Sequence, residues 1–328
     1  MPLAETVTID ASQFPAQVRA DLLESLRTRR IQPKFHYDSY KQAQKWLALH
    51  EAHSPARTDP GCLAIYEQAF AAAAGRMSNS GARVIGLGCG GGQKEARLVE
   101  MLRARCLPVS HLLCDVSVPL VLTAQQAVER AAPGISGDAL VCDLARCESL
   151  AQTVDRVAAP TGIPRRRIFT CFGMTPNFEP DVLLPRLAEL VRAEDLLLVS
   201  ANLAPGTDYA AGVRQVLGGY DNELTRDWLL TFLLDIGVEP TDGALQFQVE
   251  DTPGGFKRIA ADFHFVRHRE IEIFGERLAF AAGEKVRLFY SYRYTPLQVR
   301  VLAEKHRLKV VQEWVADSGE EGVFLCGQ

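Results

Sequence analysis

The sequence predicts an α/β protein built around an open, mostly parallel β-sheet. A short apolar run, Val84-Ile85, leads into a cluster of glycines, and residues 93–105 then have a helical pattern. Further apolar runs follow with helical stretches between them, at residues 111–117, 139–144, 167–173 and 196–200. This alternation gives parallel strands joined by right-handed crossover helices. We therefore expect a Rossmann-like sheet.

The glycine cluster suggests a nucleotide-binding turn. Gly86, Gly88 and Gly90 lie between the first strand and its helix, which is the phosphate-side entry of open α/β sheets. Glycine is expected there because the backbone must adopt positive φ and approach a ligand more closely than a side chain allows. The spacing Gly86-x-Gly88-x-x-Gly91 also fits the dinucleotide fingerprint. The turn alone therefore leaves an NAD(P)-dependent oxidoreductase open.

Polar residues at the ends of the next strands favour a different cofactor. Asp115 ends the second strand, where an acid can accept both hydroxyls of an adenosyl ribose. Asp143 ends the third strand and is placed to accept from an adenine amino group, while Gly173 and Asn177 lie just beyond the fourth. Acids at these two strand ends, without a second Rossmann half-repeat, favour S-adenosylmethionine (SAM) over NAD.

Composition places the chain among ordinary globular proteins. Its 328 residues can bury a full core, and the length suggests one large domain or two. A net charge of −4 does not indicate a nucleic-acid partner. The eight cysteines form no Cys-x-x-Cys pair, so we predict no metal and no disulfide. Without a signal pattern or an apolar run of about 18 residues, we expect a cytoplasmic protein that does not enter a membrane.

The two flanks of the central sheet predict a second, α+β lobe. Residues 1–13 are expected to be extended and loosely held. Residues 31–39 are predicted to form a loop and residues 53–60 a turn, and helices are predicted at 16–29, 42–50 and 62–77. After the fifth strand, prolines and glycines interrupt residues 202–220, and a helix follows at 224–237. Alternating patterns then predict an antiparallel layer of four strands at 247–250, 260–267, 270–274 and 285–292.

The chain closes with a predicted helix at 295–306 and strands at 309–314 and 322–326. The expected domains are a substrate-binding lobe, residues 1–58 with 204–292, and a SAM-binding domain, residues 59–203 with 293–328.

Several short motifs, in this order, resemble the histidine-specific SAM-dependent methyltransferase family, whose best-known activity trimethylates histidine on the ergothioneine pathway. The matching pieces are Pro33-Lys-Phe-His-Tyr-Asp38, Pro55-Ala-Arg57, Gly86-Leu-Gly-Cys-Gly90 with Lys94, Asp115-Val-Ser117, Phe172-Gly-Met-Thr-Pro-Asn-Phe-Glu-Pro180, Tyr220-Asp221 and Ser291-Tyr-Arg-Tyr294. The resemblance implies a methyltransferase of small molecules with SAM as its cofactor.

The resemblance also implies roles for particular residues. Gly86, Lys94, Asp115 and Asp143 would hold SAM, together with the backbone at the other turn glycines, Gly88 and Gly90, and at Gly173. Asn177 would bind the substrate's α-amino group, Tyr220 its carboxylate, and Tyr37 would enclose the zwitterion and orient the amine. Asn177 and Tyr37 are thus the candidate catalytic residues.

Departures from the family pattern concern the substrate. Phe289 stands where the histidine enzymes have a glutamate that holds the imidazole, and only Ser291 remains of that pair. A family tyrosine is replaced by His53 or Ser54, and an aspartate by Asn202. Phenylalanine cannot accept a hydrogen bond, and a pocket that buries the imidazole NH without a partner loses about 1–3 kcal/mol of binding free energy. We therefore expect N-methylation of the α-amino group of a free amino acid with a less polar side chain than histidine, or of a close relative, with a non-catalytic SAM-binding protein as the alternative.

Overall fold

The computed structural model describes residues 6–78, 80–158 and 166–328, and it confirms the predicted α/β fold. Its strands are β1 (Val7–Ile9), β2 (Ala82–Leu87), β3 (Val109–Asp115), β4 (Gly137–Val141), β5 (Arg166–Cys171), β6 (Leu196–Asn202), β7 (Gly243–Asp251), β8 (Lys257–Phe265), β9 (Arg269–Ile273), β10 (Glu276–Phe280), β11 (Lys285–Arg293), β12 (Lys309–Val315) and β13 (Glu321–Gly327). Its helices are α1 (Pro15–Thr28), α2 (Tyr40–His53), α3 (Pro55–Thr58), α4 (Pro60–Gly75), α5 (Gln93–Ala104), α6 (Val118–Ala131), α7 (Leu150–Val157), α8 (Pro180–Leu190), α9 (Tyr209–Val216), α10 (Glu223–Asp235) and α11 (Pro296–Lys305).

Eight strands form the central sheet, in the order β1-β4-β3-β2-β5-β6-β13-β12. The first six are parallel to their neighbours, whereas β13 pairs antiparallel with both β6 and β12. The chain builds outward from β2 to β3 and β4, and then returns to the other side of β2 to form β5. Ligands bind at such a switch point, outside the carboxyl ends of the strands.

Helices cover both faces of this sheet because its strands are apolar on both sides. Neighbouring strand residues face opposite layers: Val84 packs with α4, α5 and α6, and Ile85 packs with α7, α8 and α11. In the described part of the chain, no helix is both long enough and apolar enough to cross a bilayer.

The second lobe has its own core, formed by α1, α10 and five strands. The predicted four-strand layer is wrong in detail, because β7, β8 and β11 form a three-stranded sheet while β9 pairs with β10 in a separate hairpin. Strand β10 was not predicted; it follows a two-residue turn at Phe274-Gly275. Both turn residues have positive φ, at 55° and 81°, the geometry that two-residue hairpin loops require.

Several short elements differ from the predictions. Residues 7–9, expected to be loosely held, form β1 beside β4, while residues 1–5 lie outside the described residues. The predicted turn at 53–60 contains α3, and the predicted loop at 31–39 contains a 3-10 helix, Pro33–His36. Helix α9 forms within the interrupted stretch because the Asp208 side chain accepts from the Ala211 amide at its start.

Gly92 should be needed for packing as well as for its backbone conformation. Its φ is +73°, and a Cβ there would lie 2.5 Å from Ala124 Cα in α6. Gly134 has a similar φ, +78°, with nothing within 4 Å of its Cβ position. Left-handed φ costs an L-residue roughly 1–2 kcal/mol, and overpacking adds about 1–3 kcal/mol.

We therefore expect Gly92→Ala to lower the free energy of unfolding by about 2 kcal/mol more than the matched control Gly134→Ala. Urea unfolding of the two variants measures the difference. Equal losses would contradict the packing argument.

Candidate active site

A cavity of about 600 Å³ lies at the carboxyl ends of the central strands, beside the second lobe. This volume is within the range of small-molecule sites. The cavity brings together the predicted site residues with one exception: it is lined by Tyr37, His53, Gly88, Gly90, Lys94, Asp115, Asp143, Gly173, Asn177, Tyr220, Phe289 and Ser291. Gly86 does not line it.

The glycine turn differs from its prediction at Gly86. Positive φ occurs at Gly88 and Gly90, at 66° and 51°, but not at Gly86. A Cβ on Gly86 would lie 2.9 Å from Glu95 Cγ, so this glycine makes room for a helix side chain. Protein atoms also crowd Gly88 and Gly90. A Cβ on Gly88 would lie 2.3 Å from Met174 Sδ, and a Cβ on Gly90 would lie 2.7 Å from the Trp46 ring.

Asp115 is a buried carboxylate oriented by the turn. Its two oxygens accept hydrogen bonds from the Gly90 amide at 2.9 Å and the Ser117 amide at 3.1 Å. Burial raises the pKa of Asp115 to about 6, against the opposing effect of the backbone hydrogen bonds. An anion held ready at this strand end can accept further hydrogen bonds from a ligand's hydroxyl groups.

Asp143 lies two residues beyond β4 and is joined to the second lobe. One oxygen accepts from the Ala145 amide at 2.9 Å, and the other lies 3.2 Å from Lys34 Nζ. Lys34 Nζ also contacts Asp21 of α1, and all three side chains are buried. The buried ammonium of Lys34, held between two carboxylates, therefore orients Asp143. This contact was not predicted from the sequence.

Lys94 lies in the first turn of α5 among aromatic rings. Its Nζ donates to Tyr66 Oη at 2.7 Å and lies 4.1 Å from the centre of that ring. The Tyr66 hydroxyl in turn donates to Glu321. Burial lowers the pKa of Lys94, while the charges of Glu321 and Glu95 raise it. The ammonium has three protons to donate, so others are available to a ligand.

Asn177 follows β5 in a short 3-10 helix, Thr175–Asn177. Its Nδ2 donates to the Gly173 carbonyl at 3.2 Å, and the Gly173 amide donates to Ser200 Oγ at 2.9 Å. Among the described residues, no donor reaches the Asn177 side-chain oxygen. That oxygen is therefore open to accept from an amine.

Tyr37 forms part of an aromatic wall. Its ring centre lies 5.7 Å from that of Trp46 and 5.5 Å from that of Trp228. Burial and the nearby charge of Asp115 raise the pKa of Tyr37 above its ordinary value. The phenol therefore keeps its proton at neutral pH, which makes it a hydrogen-bonding group and not a base.

Tyr220 and Ser291 belong to a cluster of hydrogen-bond donors. Arg293 Nη2 donates to Tyr220 Oη at 2.8 Å, and the Tyr220 and Ser291 hydroxyl oxygens are 2.9 Å apart. Asn202 Nδ2 lies 3.3 Å from both oxygens. Arg293 is only 6% exposed. Within the described ranges, its guanidinium contacts backbone carbonyls and no carboxylate.

Phe289 forms the apolar side of the same region. Its ring centre lies 6.1 Å from that of Tyr220 and 5.9 Å from that of Trp228. Phe289, Ser291 and Arg293 occupy alternate positions of β11 and line the cavity, as does Tyr290 between them. His53, at the end of α2, is exposed and also lines the cavity.

Several cavity residues were not singled out from the sequence. Lys34 and Arg293 lie inside the quoted motifs, so motif membership was a signal that could have identified them. No comparable signal marked Trp46, Tyr66 or Trp228. In the sequence they look like ordinary core aromatics, and only the packing of the lobe against the sheet places them in the cavity.

A comparison with protein families gives one decisive match. The profile of a family described as histidine-specific methyltransferase, SAM-dependent, matches residues 18–328. The chain belongs to this family. This methyltransferase uses SAM, so the NAD(P)-dependent alternative is dismissed.

Solved structures similar to the methyltransferase include magnesium protoporphyrin IX methyltransferase (ChlM) from Synechocystis PCC 6803 with bound SAH, at 12% identity and TM-score 0.46, covering 88% of this chain and 94% of that one. The CcbJ methyltransferase from Streptomyces caelestis has 12% identity and TM-score 0.37, covering 80% and 88%. The mitomycin 7-O-methyltransferase MmcR has 15% identity and TM-score 0.40, covering 97% and 69%. No curated protein sequence matches the chain.

If Asp115 binds the cofactor's ribose, cofactor affinity should depend on pH. The pKa of Asp115 is about 6, so its charge is complete above about pH 7 and is lost as the pH falls. We expect the affinity for S-adenosylhomocysteine to be constant above about pH 7 and to fall by up to about tenfold per unit at lower pH. Calorimetric titrations across this range measure it.

Asp115→Asn supplies the control. It should bind S-adenosylhomocysteine about 10- to 150-fold more weakly, because a hydrogen bond to a charged group is worth roughly 1.5–3 kcal/mol. Its affinity should also lose most of the pH dependence. A folded variant with wild-type affinity would remove Asp115 from the site.

Proposed function

We propose that this methyltransferase transfers a methyl group from SAM to the α-amino nitrogen of a free amino acid, or a close relative, other than histidine. The observation that carries the proposal is that two complementary groups line one cavity. One is the Asn177 amide oxygen, which is open to a donor, and the other is a donor cluster containing buried Arg293, which contacts no carboxylate among the described residues. An amine and a carboxylate on one small molecule match this pair.

The directions of the hydrogen bonds in the donor cluster favour a substrate carboxylate as its ligand. Arg293 can only donate, and Asn202 turns its amide nitrogen towards Tyr220 as well, so the Tyr220 oxygen accepts twice. Its own proton must then be donated, and Ser291 Oγ is the acceptor within reach. The proton of Ser291 consequently has no acceptor inside the cluster.

The charge of Arg293 supports the same conclusion. Beyond Tyr220, the guanidinium donates to the Leu203 carbonyl at 3.0 Å and the Glu320 carbonyl at 3.3 Å, which neutralise none of its charge. A buried charge is unfavourable unless it is paired. A substrate carboxylate near the Tyr220 and Ser291 hydroxyls would supply the missing negative charge.

The side-chain end of the proposed substrate would face Phe289 and Trp228. The two rings pack edge to face, with centres 5.9 Å apart and an interplanar angle of 71°. Neither offers an acceptor for an imidazole NH, and leaving that NH unpaired would cost about 1–3 kcal/mol. An apolar side chain has no such penalty, so we assign the substrate to the less polar amino acids.

For the cofactor, we assign the ribose to Asp115, the adenine amino group to Asp143 and the remaining contacts to Lys94 and the backbone of Gly88, Gly90 and Gly173. These residues fit SAM because they combine two buried acids with a lysine and a glycine turn at a sheet switch point. Gly86 supports the turn through packing. The lobe of residues 1–58 and 204–292 would then hold the substrate, and 59–203 with 293–328 the cofactor.

When bound, SAM supplies a methyl group carried on a positively charged sulfur. The amine must be neutral, because its lone pair forms the new N–C bond as the S–C bond breaks. Catalysis then depends mostly on holding nitrogen, carbon and sulfur in line. We assign the orientation of the amine to Asn177 and Tyr37, and its proton to water. The aromatic wall of Tyr37, Trp46 and Trp228 would exclude water during transfer.

The proposal is tested by incubating the protein with SAM and a panel of amino acids, and measuring products heavier by one methylene by mass spectrometry. We expect methylated apolar or aromatic amino acids and little methylated histidine. The absence of methylated product from every member would reject an amino-acid substrate.

Asn177→Ala should leave the affinity for S-adenosylhomocysteine within about twofold and lower kcat/KM for the best substrate by about 100-fold, since it removes one acceptor of the amine. Calorimetry and initial rates separate the two effects. If cofactor and substrate binding weaken equally, the loop has a structural role and the assignment is wrong.

Phe289→Glu should move preference towards histidine by about tenfold or more, because the new carboxylate can accept the imidazole NH. The ratio of kcat/KM for histidine and for the best substrate measures the change, with thermal melts as a check on folding. Phe289→Gln, of the same shape and without charge, is the matched control and should shift the ratio less. A stable Glu variant with the wild-type ratio would show that Phe289 does not select the substrate.

A further inference from the structure

Three side chains that can bind a metal ion meet beside the edge strand β1, and the proposed reaction uses none of them. They are the carboxylate of Asp10 and the thiols of Cys142 and Cys147, whose ligand atoms all lie within 4.8 Å of one another. All three residues are buried. Among the described residues, no other three such side chains come this close. We call these three residues the acid–thiol cluster.

Hydrogen bonds of the backbone hold the acid–thiol cluster together. Asp10 directly follows β1, and its amide donates to the Val141 carbonyl at 2.9 Å, which places it beside the end of β4. Cys142 directly follows β4. The next turn brings Cys147 back to the same place, because its amide donates to the Asp143 carbonyl at 2.8 Å. Zinc bonds of about 2.3 Å to sulfur and about 2.1 Å to oxygen would draw these ligand atoms together by about 1 Å at most.

Asp10 is a buried acid that forms no ion pair among the described residues, and its side chain is only 8% exposed. Its Oδ1 accepts from the Ser12 amide at 2.9 Å, and its Oδ2 accepts from Thr153 Oγ1 at 3.4 Å. The Thr153 hydroxyl also lies 3.8 Å from Cys147 Sγ. A buried charge is unfavourable unless it is paired or coordinates a metal. A metal ion between the carboxylate and the two sulfurs would be the partner that Asp10 lacks.

We propose that Asp10, Cys142 and Cys147 bind a zinc ion. Two sulfurs and one carboxylate oxygen form a donor set that suits zinc, whereas magnesium and calcium take oxygen ligands. The two thiols lose their protons to solvent as two Zn–S bonds form. The site therefore keeps the single negative charge that Asp10 carries, and binding buries no additional net charge. Cys142 also lines the cavity, which gives the ion a route to the cluster.

The bound ion would be structural. It would join β1 to the end of β4, whose following turn carries Asp143. The expectation of no metal rested on the absence of a Cys-x-x-Cys pair, and it took no account of an acid more than a hundred residues away in sequence. The inference is independent of which substrate the enzyme methylates, because none of the three ligands is assigned to the cofactor or the amino acid.

The experiment uses the full chain, reduced, stripped of metal with a chelator and desalted. Titration with Co²⁺ alone should produce the near-ultraviolet absorption of cobalt–thiolate bonds, saturating at one ion per chain, and Zn²⁺ should displace the cobalt and abolish the absorption. Competition with a chromophoric chelator then measures the zinc affinity. Cys147→Ser and Asp10→Asn should each weaken zinc binding by about 100-fold or more, because each removes one of only three protein ligands.

Two cysteines outside the cluster supply matched controls. Cys171→Ser changes a buried thiol of the same sheet, and Cys106→Ser changes an exposed one. Both should leave the zinc affinity within about twofold of wild type. If either control weakens zinc binding as much as Cys147→Ser does, the ion binds elsewhere and the inference is overturned. The wild-type cobalt spectrum decides the matter even if a cluster variant fails to fold, since a spectrum without thiolate absorption rejects the site outright.

Discussion

A buried lysine joins the two halves of this methyltransferase. Lys34 comes from the N-terminal segment, and its ammonium lies between Asp21 of α1 and Asp143 at the end of β4. All three side chains are more than nine-tenths buried, and breaking a buried pair typically costs about 3–5 kcal/mol, because the remaining charge is unpaired. The lobe therefore contacts the sheet at a strand end where its position is strongly constrained.

The same short segment also builds the opposite wall of the cavity. The His36 carbonyl accepts from Trp228 Nε1 at 2.7 Å, and the Tyr37 ring packs against that indole. Trp228 in turn contacts Phe289. A few consecutive residues thus connect the acid proposed for adenine with the surface proposed for the substrate side chain. The geometry of one end of the cavity depends on that of the other.

Part of the site followed from local patterns. Asp115 and Asn177 were placed at the same sheet edge because the carboxyl ends of parallel strands meet there. Phe289, Ser291 and Arg293 reach one cavity from alternate positions of β11, as side chains on one face of a strand do, although Tyr290 lines the cavity too. The reason for Gly86 was wrong, because the atoms that exclude a side chain there belong to Glu95 in the following helix. Glycine patterns indicate tight packing without showing what is packed.

By itself, the sequence determined the α/β class, the order of strands and helices around the glycine turn and the acids at two strand ends. These depend on hydrophobic periodicity and chain direction, which are local. The tertiary structure alone decided that Lys34 pairs with Asp143 and that Arg293 supports Tyr220. Each of these depends on how the lobe packs against the sheet, bringing together charges far apart in sequence, and no local pattern encodes which charges are neutralised and which remain free.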